Sequence, residues 1–280
     1  MKRMAADRAF AARHGLCGIN SYNIGRPLAQ LAHYFWTYLR VLDRTGLELG
    51  APIDLAVPAG ALGNLAAGFM AKRMGLPVRK LLAAVNANDI THRTIARGEF
   101  HRSERMEKTL SDAINIQVPY NMERIFYYLS GENAALVASW MSEAERAGRV
   151  TLPAPWLSRL QEVFDSRRID DAAMCAALRK AADVHGYLMD PHTAVGLAAV
   201  VAWRGDTPLP ASSPPVALLA TASPCKFEAS VTAALGSERW AAYAASADFP
   251  AAARALLAAS ERPFRRLGAR GSLAESQAAW

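Results

Sequence analysis

The strongest constraint on the fold is the stretch at residues 52–85, PIDLAVPAGALGNLAAGFMAKRMGLPVRKLLAAV. A compact apolar run, PIDLAV, enters a turn containing Gly60 and Gly63. Helix formers follow, Gly75 and Pro77 stop them, and VRKLLAAV resumes as an extended run. Glycine just past a helix accepts the left-handed backbone of a C-cap, and proline cannot continue the helix, so the helix is bounded on that side. Strand, helix and strand in so few residues make a βαβ unit, which calls for parallel strands joined by a right-handed crossover.

The flanking sequence extends the pattern. Residues 26–42, RPLAQLAHYFWTYLRVL, space Leu28, Leu31, Ala32, Phe35, Leu39 and Leu42 as one apolar helical face, with Pro27 in the first turn. This reads as a well-buried helix carrying His33 as a structural histidine. Asn88 or Asp89 is placed to cap a helix that stops at Gly98, INIQV (114–118) reads as a short strand, and NMERIFYYLSG as a helix ending at Gly131. SGENAA is a helix stop followed by a new cap, and two further helices run through AALVASWMSEAERAG and DDAAMCAALRKAADVHG. In DPHTAVGLAAVVAW, Asp190 stands at the cap and Pro191 at the first helical position, so Asp190 and His192 read as a helix start and not as metal ligands. Val216 to Ala220 reads as a buried strand that breaks at TASPCKF, and the remainder is Ala-rich helix. The fold class is therefore α/β, a mostly parallel sheet flanked by helices.

Charge and cysteine content narrow the partners. The chain of 280 residues carries a formal charge of +7, but its Lys and Arg are spread along helical faces beside Asp and Glu, which describes solvated surface. The densest cluster, RPFRRLGAR (Arg262 to Arg270), holds no stacking aromatic besides Phe264, so nucleic acid is not an expected partner. Three cysteines, Cys17, Cys175 and Cys225, form no metal-spaced set and fit a reducing compartment. The N-terminal MKRMAADRAFAARHG lacks the apolar core of a secretory signal, and AVGLAAVVAW is too short to span a bilayer. No membrane partner and a cytoplasmic location are expected, or an organellar one if a transit peptide precedes this stretch.

The glycine turn itself leaves two readings. A turn between the carboxyl end of a parallel strand and a helix amino terminus exposes unpaired N–H groups in the helix's positive field, and glycine lets an anion approach them. GALGN is neither a Walker loop nor a G-x-G-x-x-G fingerprint, so the residues alone favour a plain strand-to-helix connection over a phosphate site.

Several segments together resemble the threonine synthase family, in order from about Asp7 to the end region: GINSYNIGRPLAQLAHYFWTYL, VPAGALGNLAAGFMAKRMGLPVRKLLAAVNANDITHRTIARGEF, INIQVPYNMERIFYYLSG, GYLMDPHTAVGLAAV and LLATASPCKF. The similarity is greatest to the threonine synthase-like 2 branch. It implies the two-lobed fold type II of pyridoxal-phosphate enzymes, pyridoxal 5'-phosphate as cofactor, and a lyase acting on O-phosphohomoserine or a related phosphorylated hydroxy amino acid. That activity would be threonine synthesis or phospho-elimination. The family's TGNFGN-type loop maps onto Ala59, Gly60, Ala61, Leu62, Gly63 and Asn64, where backbone donors would hold the cofactor phosphate. Ala59 and Ala61 replace Thr and Asn, which removes any side-chain contact at Ala61 and resembles the synthase-like branch.

The resemblance also places Thr221 at the pyridine nitrogen, where a neutral hydroxyl leaves that nitrogen unprotonated. It puts Asn20, Ser21, Arg26 and Lys226 near the substrate, and Ser223 where the family often has His. The family's Schiff-base lysine in its F-K-D context and its S-G-D-T-G-like loop have no counterpart. Lys2, Lys72, Lys80, Lys108, Lys180 and Lys226 all stand in other contexts, so no catalytic residue is assigned. The chain is accordingly expected to begin inside the family's length. Residues 1–50 are the helical remainder of the smaller lobe, and 51–280 the cofactor-binding α/β lobe with C-terminal helices. The alternative expectation is a truncated cofactor-binding or interaction module without catalysis, and a third is an unrelated phosphate-binding α/β protein.

Overall fold

A computed structural model describes residues 7–18, 20–205, 210 and 213–260. Lys2 and the Arg262–Arg270 cluster lie outside the described residues. In chain order the elements are α1 (Arg8–Arg13), α2 (Gly25–Thr45), β1 (Ile53–Pro58), α3 (Gly63–Arg73), β2 (Val78–Val85), α4 (Ile90–Arg97), β3 (Glu99–His101), α5 (Met122–Leu129) and α6 (Ala134–Ala147). They continue with β4 (Arg149–Thr151), α7 (Ala154–Val163), β5 (Phe164–Arg168), α8 (Asp171–His185), α9 (Pro191–Arg204), β6 (Val216–Leu218), α10 (Glu228–Leu235), α11 (Ser237–Ala245) and α12 (Ala251–Ala258).

The βαβ unit forms as its sequence requires. β1 and β2 pair in parallel with Leu55 opposite Leu81 and Val57 opposite Ala83, and the full sheet runs β5-β2-β1-β6, parallel throughout. Alternation along β1 feeds two cores. Ile53, Leu55 and Val57 enter one with α2, α3, α5, α6 and α7, while Ala56 enters the other with Leu82, Ala84 and residues of α8, α9 and α10. A sheet covered on both faces explains why PIDLAV is continuously apolar. Its exception is Asp54, fully buried yet paired with the Arg79 and Arg204 guanidiniums and with the Lys80 N–H. Three sources of donors offset the cost of burying that carboxylate.

Four expectations are corrected. INIQV is not a strand: a 3-10 turn at Asp112–Ile114 leads into loop, because Asn115 and Gln117 spend their side chains bracing it. Helix α2 is not buried along the expected stripe. It buries Pro27, Tyr34, Tyr38 and Leu42, and leaves Leu28, Ala32, His33, Trp36 and Leu39 exposed, so His33 is no core histidine. The tyrosines win that face because their hydroxyls find partners, Tyr34 on the Asn64 carbonyl and Tyr38 on the Ala51 carbonyl. The strand expected at 216–220 is a half-buried edge strand of three residues. Strand β5 and the antiparallel pair β3–β4 are additional, the first written in polar FDSRR and the others only three residues long.

Candidate functional site

β1 ends at Pro58, the Ala59 N–H continues the ladder onto the Ala84 carbonyl at 2.8 Å, and the chain then turns through Gly60, Ala61 and Leu62 into α3. Leu62 is left-handed, with φ of 63°, a conformation that costs a residue with a Cβ about 1 kcal/mol. Burial of its side chain and the Ala66 N–H on its carbonyl hold it there. The Ala61 carbonyl is turned inward, taking the Asn121 N–H at 3.2 Å and the Asn121 Nδ2 at 2.7 Å.

With that carbonyl engaged, the N–H groups of Gly60, Ala61, Leu62, Gly63 and Asn64 donate to no acceptor among the described residues. These five residues line a cavity of about 150 Å³ whose other walls include Ser21, Arg26, Gln30 and Ala113–Ile114. Successive unpaired N–H groups at a helix amino terminus form an anion cradle. Gly60 fits closely there: a Cβ would stand 3.1 Å from the Ile114 Cα, so a larger residue needs that wall to shift by a few tenths of an ångström.

That wall, the turn at 112–114, is strapped from four elements. Ser111 accepts from Asn86 Nδ2 at the end of β2, the Leu110 N–H donates to Asp171 of α8, and Ser230 of α10 donates to the Leu110 carbonyl. From α9, His192 Nε2 accepts the Ala113 N–H at 3.1 Å while its Nδ1 donates to Asp190 at 2.8 Å. Asp190 also accepts from Thr193 Oγ1, which in turn accepts the Thr221 N–H at 3.2 Å. Burial alone pushes the Asp190 carboxyl up, but the hydrogen bonds from His192 and Thr193 outweigh it and hold it below the ordinary value.

Among the expected site residues, the cradle gathers Gly60 to Asn64 with Ser21 and Arg26 on its rim. Asn20 is exposed and folds back on the Ser21 N–H at 2.7 Å. Thr221, exposed, follows β6 beside β1, and Lys226 stands exposed in a 3-10 turn at Pro224–Lys226, where the Ser223 hydroxyl donates to Cys225 Sγ. Neither lines the cavity, and among the described residues no lysine does. Lys72 and Lys80 instead donate to the carbonyls of Val78 and Gln161.

Sequence reasoning overlooked Asn121, which joins the Ser21 and Ala61 carbonyls and is itself held by Arg124. It also overlooked Gln30, for which the one-turn spacing from Arg26 is a readable signal. A larger cavity, about 810 Å³, lies between α5, α6 and β3–β4, with Phe100, Tyr127, Val137 and Met141 on its walls. The smaller cavity, lined by the turn after β1 and the amino end of α3, is the candidate site.

Residues 193–269 match the family model described as "Threonine synthase, C-terminal". The chain is similar to threonine synthase-like 2 of Homo sapiens, 41% identical over 237 residues, which is 84% of this chain and 48% of that protein. It is similar to the threonine synthase of Saccharomyces cerevisiae at 31% identity over 251 residues, 84% of this chain and 47% of that protein. Among solved structures, the pyridoxal-phosphate-bound threonine synthase of Brucella melitensis superposes with a TM-score of 0.75 at 33% identity, over 85% of this chain and 48% of that one. The yeast threonine synthase structure superposes with a TM-score of 0.73 at 31% identity, over 84% of this chain and 48% of that one.

Proposed function

We infer, from a chain that belongs to the threonine synthase family, shares its fold type II architecture and spans about half the length of the relatives it matches, that its cradle holds the phosphate of pyridoxal 5'-phosphate. In the same reading the whole protein is a lyase acting on a phosphorylated hydroxy amino acid such as O-phosphohomoserine. The carrying observation is the row of five residues, Gly60 to Asn64, whose backbone N–H groups have no acceptor among the described residues and which line a cavity at the amino end of α3.

Each residue then has a task. The N–H row and the positive end of α3 bind the phosphate dianion, Arg26 supplies counter-charge at the rim, and Ala61 contributes backbone alone. Asn121 fixes the direction of the turn by engaging the Ala61 carbonyl, which leaves the N–H groups of the turn free for the phosphate, and Arg124 holds the Asn121 side chain in place through its Oδ1. Thr221 is proposed to stand at the cofactor's ring nitrogen, its neutral hydroxyl leaving that nitrogen unprotonated. Asn20, Ser21 and Lys226 are proposed to meet the substrate. The cofactor, when bound, supplies an electron sink for the substrate's carbanion, tempered here by the neutral ring nitrogen. Absence of an asparagine side chain at Ala61 favours phospho-elimination, as in the synthase-like branch, over net threonine formation.

A second reading has one observation behind it: among the described residues no lysine lines the cradle. This chain alone would then bind the cofactor without bonding to it covalently. Titration with pyridoxal phosphate is expected to give saturable binding, competed by inorganic phosphate. Borohydride reduction and peptide mapping should label no single lysine preferentially. Lack of saturable binding removes the cradle assignment; one stoichiometrically labelled lysine removes the non-covalent reading. For the whole protein, release of phosphate from O-phosphohomoserine with 2-oxobutyrate as co-product supports elimination, threonine as co-product supports synthesis, and no release overturns the lyase.

A further inference from the structure

The stripe Arg26, Gln30, Tyr34 and Tyr38 runs along α2 at one-turn spacing, on the side packed against α3. Tyr34 sets the register of that packing. Its hydroxyl donates to the Asn64 carbonyl at 2.7 Å, and its ring fills the notch at Gly68, where a Cβ would stand 2.6 Å from the ring. One turn earlier, Gln30 is thereby laid over the first turn of α3. Its Oε1 would lie 3.7 Å from a Cβ placed on Gly63, and it lines the cradle.

Gln30 Oε1 is buried and has no hydrogen-bond partner among the described residues. A buried carbonyl oxygen without a donor is destabilising. The cavity it lines is shared with the turn residues whose N–H groups have no acceptor and with Arg26, while the Ser21 carbonyl is occupied by Asn121. Rotating the amide about its last torsion replaces the oxygen with the NH2 group and turns the stranded acceptor into a further donor. An oxyanion in the cradle stabilises that orientation.

We propose that Gln30 is a ligand-contacting residue of the cradle, its side-chain amide donating to an oxygen of the bound phosphate. The proposal rests on the pyridoxal-phosphate reading of the site and adds a contact on a helix that precedes the glycine turn in the chain. It makes Gln30 a sensor of the phosphate group and not of the rest of the cofactor.

The test titrates the chain and its Gln30→Leu and Gln30→Glu variants with pyridoxine 5'-phosphate, whose alcohol forms no imine with surface lysines, with pyridoxine and with inorganic phosphate. Circular dichroism confirms folding, and Gln30→Glu, which keeps the shape and polarity of the side chain, covers a failure of the leucine variant to fold. Gln30→Leu is expected to weaken pyridoxine phosphate and inorganic phosphate about tenfold, and Gln30→Glu about a hundredfold, with pyridoxine changed less than twofold. Equal losses for pyridoxine and its phosphate, or unchanged phosphate affinity in both variants, overturn the proposal. If the wild-type chain binds inorganic phosphate but not pyridoxine phosphate, the cofactor reading falls, and the variants' phosphate affinities still decide the role of Gln30. A wild-type chain that binds neither overturns both.

Discussion

At the residue scale, Asp190 joins the turn behind the cradle to the chain that follows β6. Through His192 it holds the Ala113 N–H of the turn behind the cradle, and through Thr193 it holds the Thr221 N–H beyond β6. The sequence makes its capping role legible, because DPHT has a carboxylate followed by proline at the first helical position. Its reach across to residue 113 is invisible there, since the two are brought together only by the packing of α9 on the sheet. Its carboxyl is held below the ordinary value by bonds made to the ionised form, so the native chain binds fewer protons than the unfolded one and stability rises with pH across that interval. The contribution is complete above about pH 4, the unfolded value, and is lost as pH falls toward the native one. Asp190→Asn is expected to lower the urea midpoint at pH 7 by the equivalent of about 1–3 kcal/mol, and to flatten the loss of stability as pH falls below about 4. An unchanged acid slope in the variant assigns that slope to other carboxylates.

At the scale of elements, α2 and α3 form the half of the cradle that carries side chains. Their helical character is plain from spacing, yet the buried face of α2 differs from its most apolar stripe. Leu28 and Leu39 look like core, but Tyr34 and Tyr38 occupy it, because only Gly68 offers room for close approach and only tyrosine can satisfy the carbonyls met on that path. The same limit hid β5, whose charged residues lie on a sheet edge, and misread INIQV, whose apolar alternation is overridden by the hydrogen bonds of Asn115. Gly68→Ala puts a methyl into the Tyr34 ring and must push α2 outward. A cost of about 1–3 kcal/mol is expected, with a several-fold loss of phosphate affinity, because Arg26 and Gln30 ride on the displaced helix. Thermal denaturation and phosphate titration of the variant check both. A stability loss with full phosphate affinity would show that α2 contributes nothing to the cradle.

At the scale of the molecule, one parallel sheet separates two cores, and the cradle stands at its carboxyl edge where α3, α9 and the turn at 112–114 converge. The βαβ core was legible from residues 52–85 alone, because continuous apolar strands and a glycine-bounded helix admit few arrangements. The division at residue 50, expected from the family's two lobes, concerns segments whose coupling depends on long-range packing. We propose that it is not a boundary of cooperative folding, since Tyr34, Tyr38 and Leu42 share a buried core with Leu55 and Leu65. Leu55→Ala removes side-chain volume from that core, and a cost of about 2–5 kcal/mol is expected. Hydrogen exchange followed by mass spectrometry in rising urea should show peptides of α2 and of β1–β2 losing protection at one midpoint, and Leu55→Ala moving both midpoints down together. Were α2 to open first at a midpoint the substitution leaves in place, the helix bearing Arg26 and Gln30 would be a separately folding piece. The cradle would then be assembled by docking, and phosphate affinity would fall with urea well before the sheet unfolds.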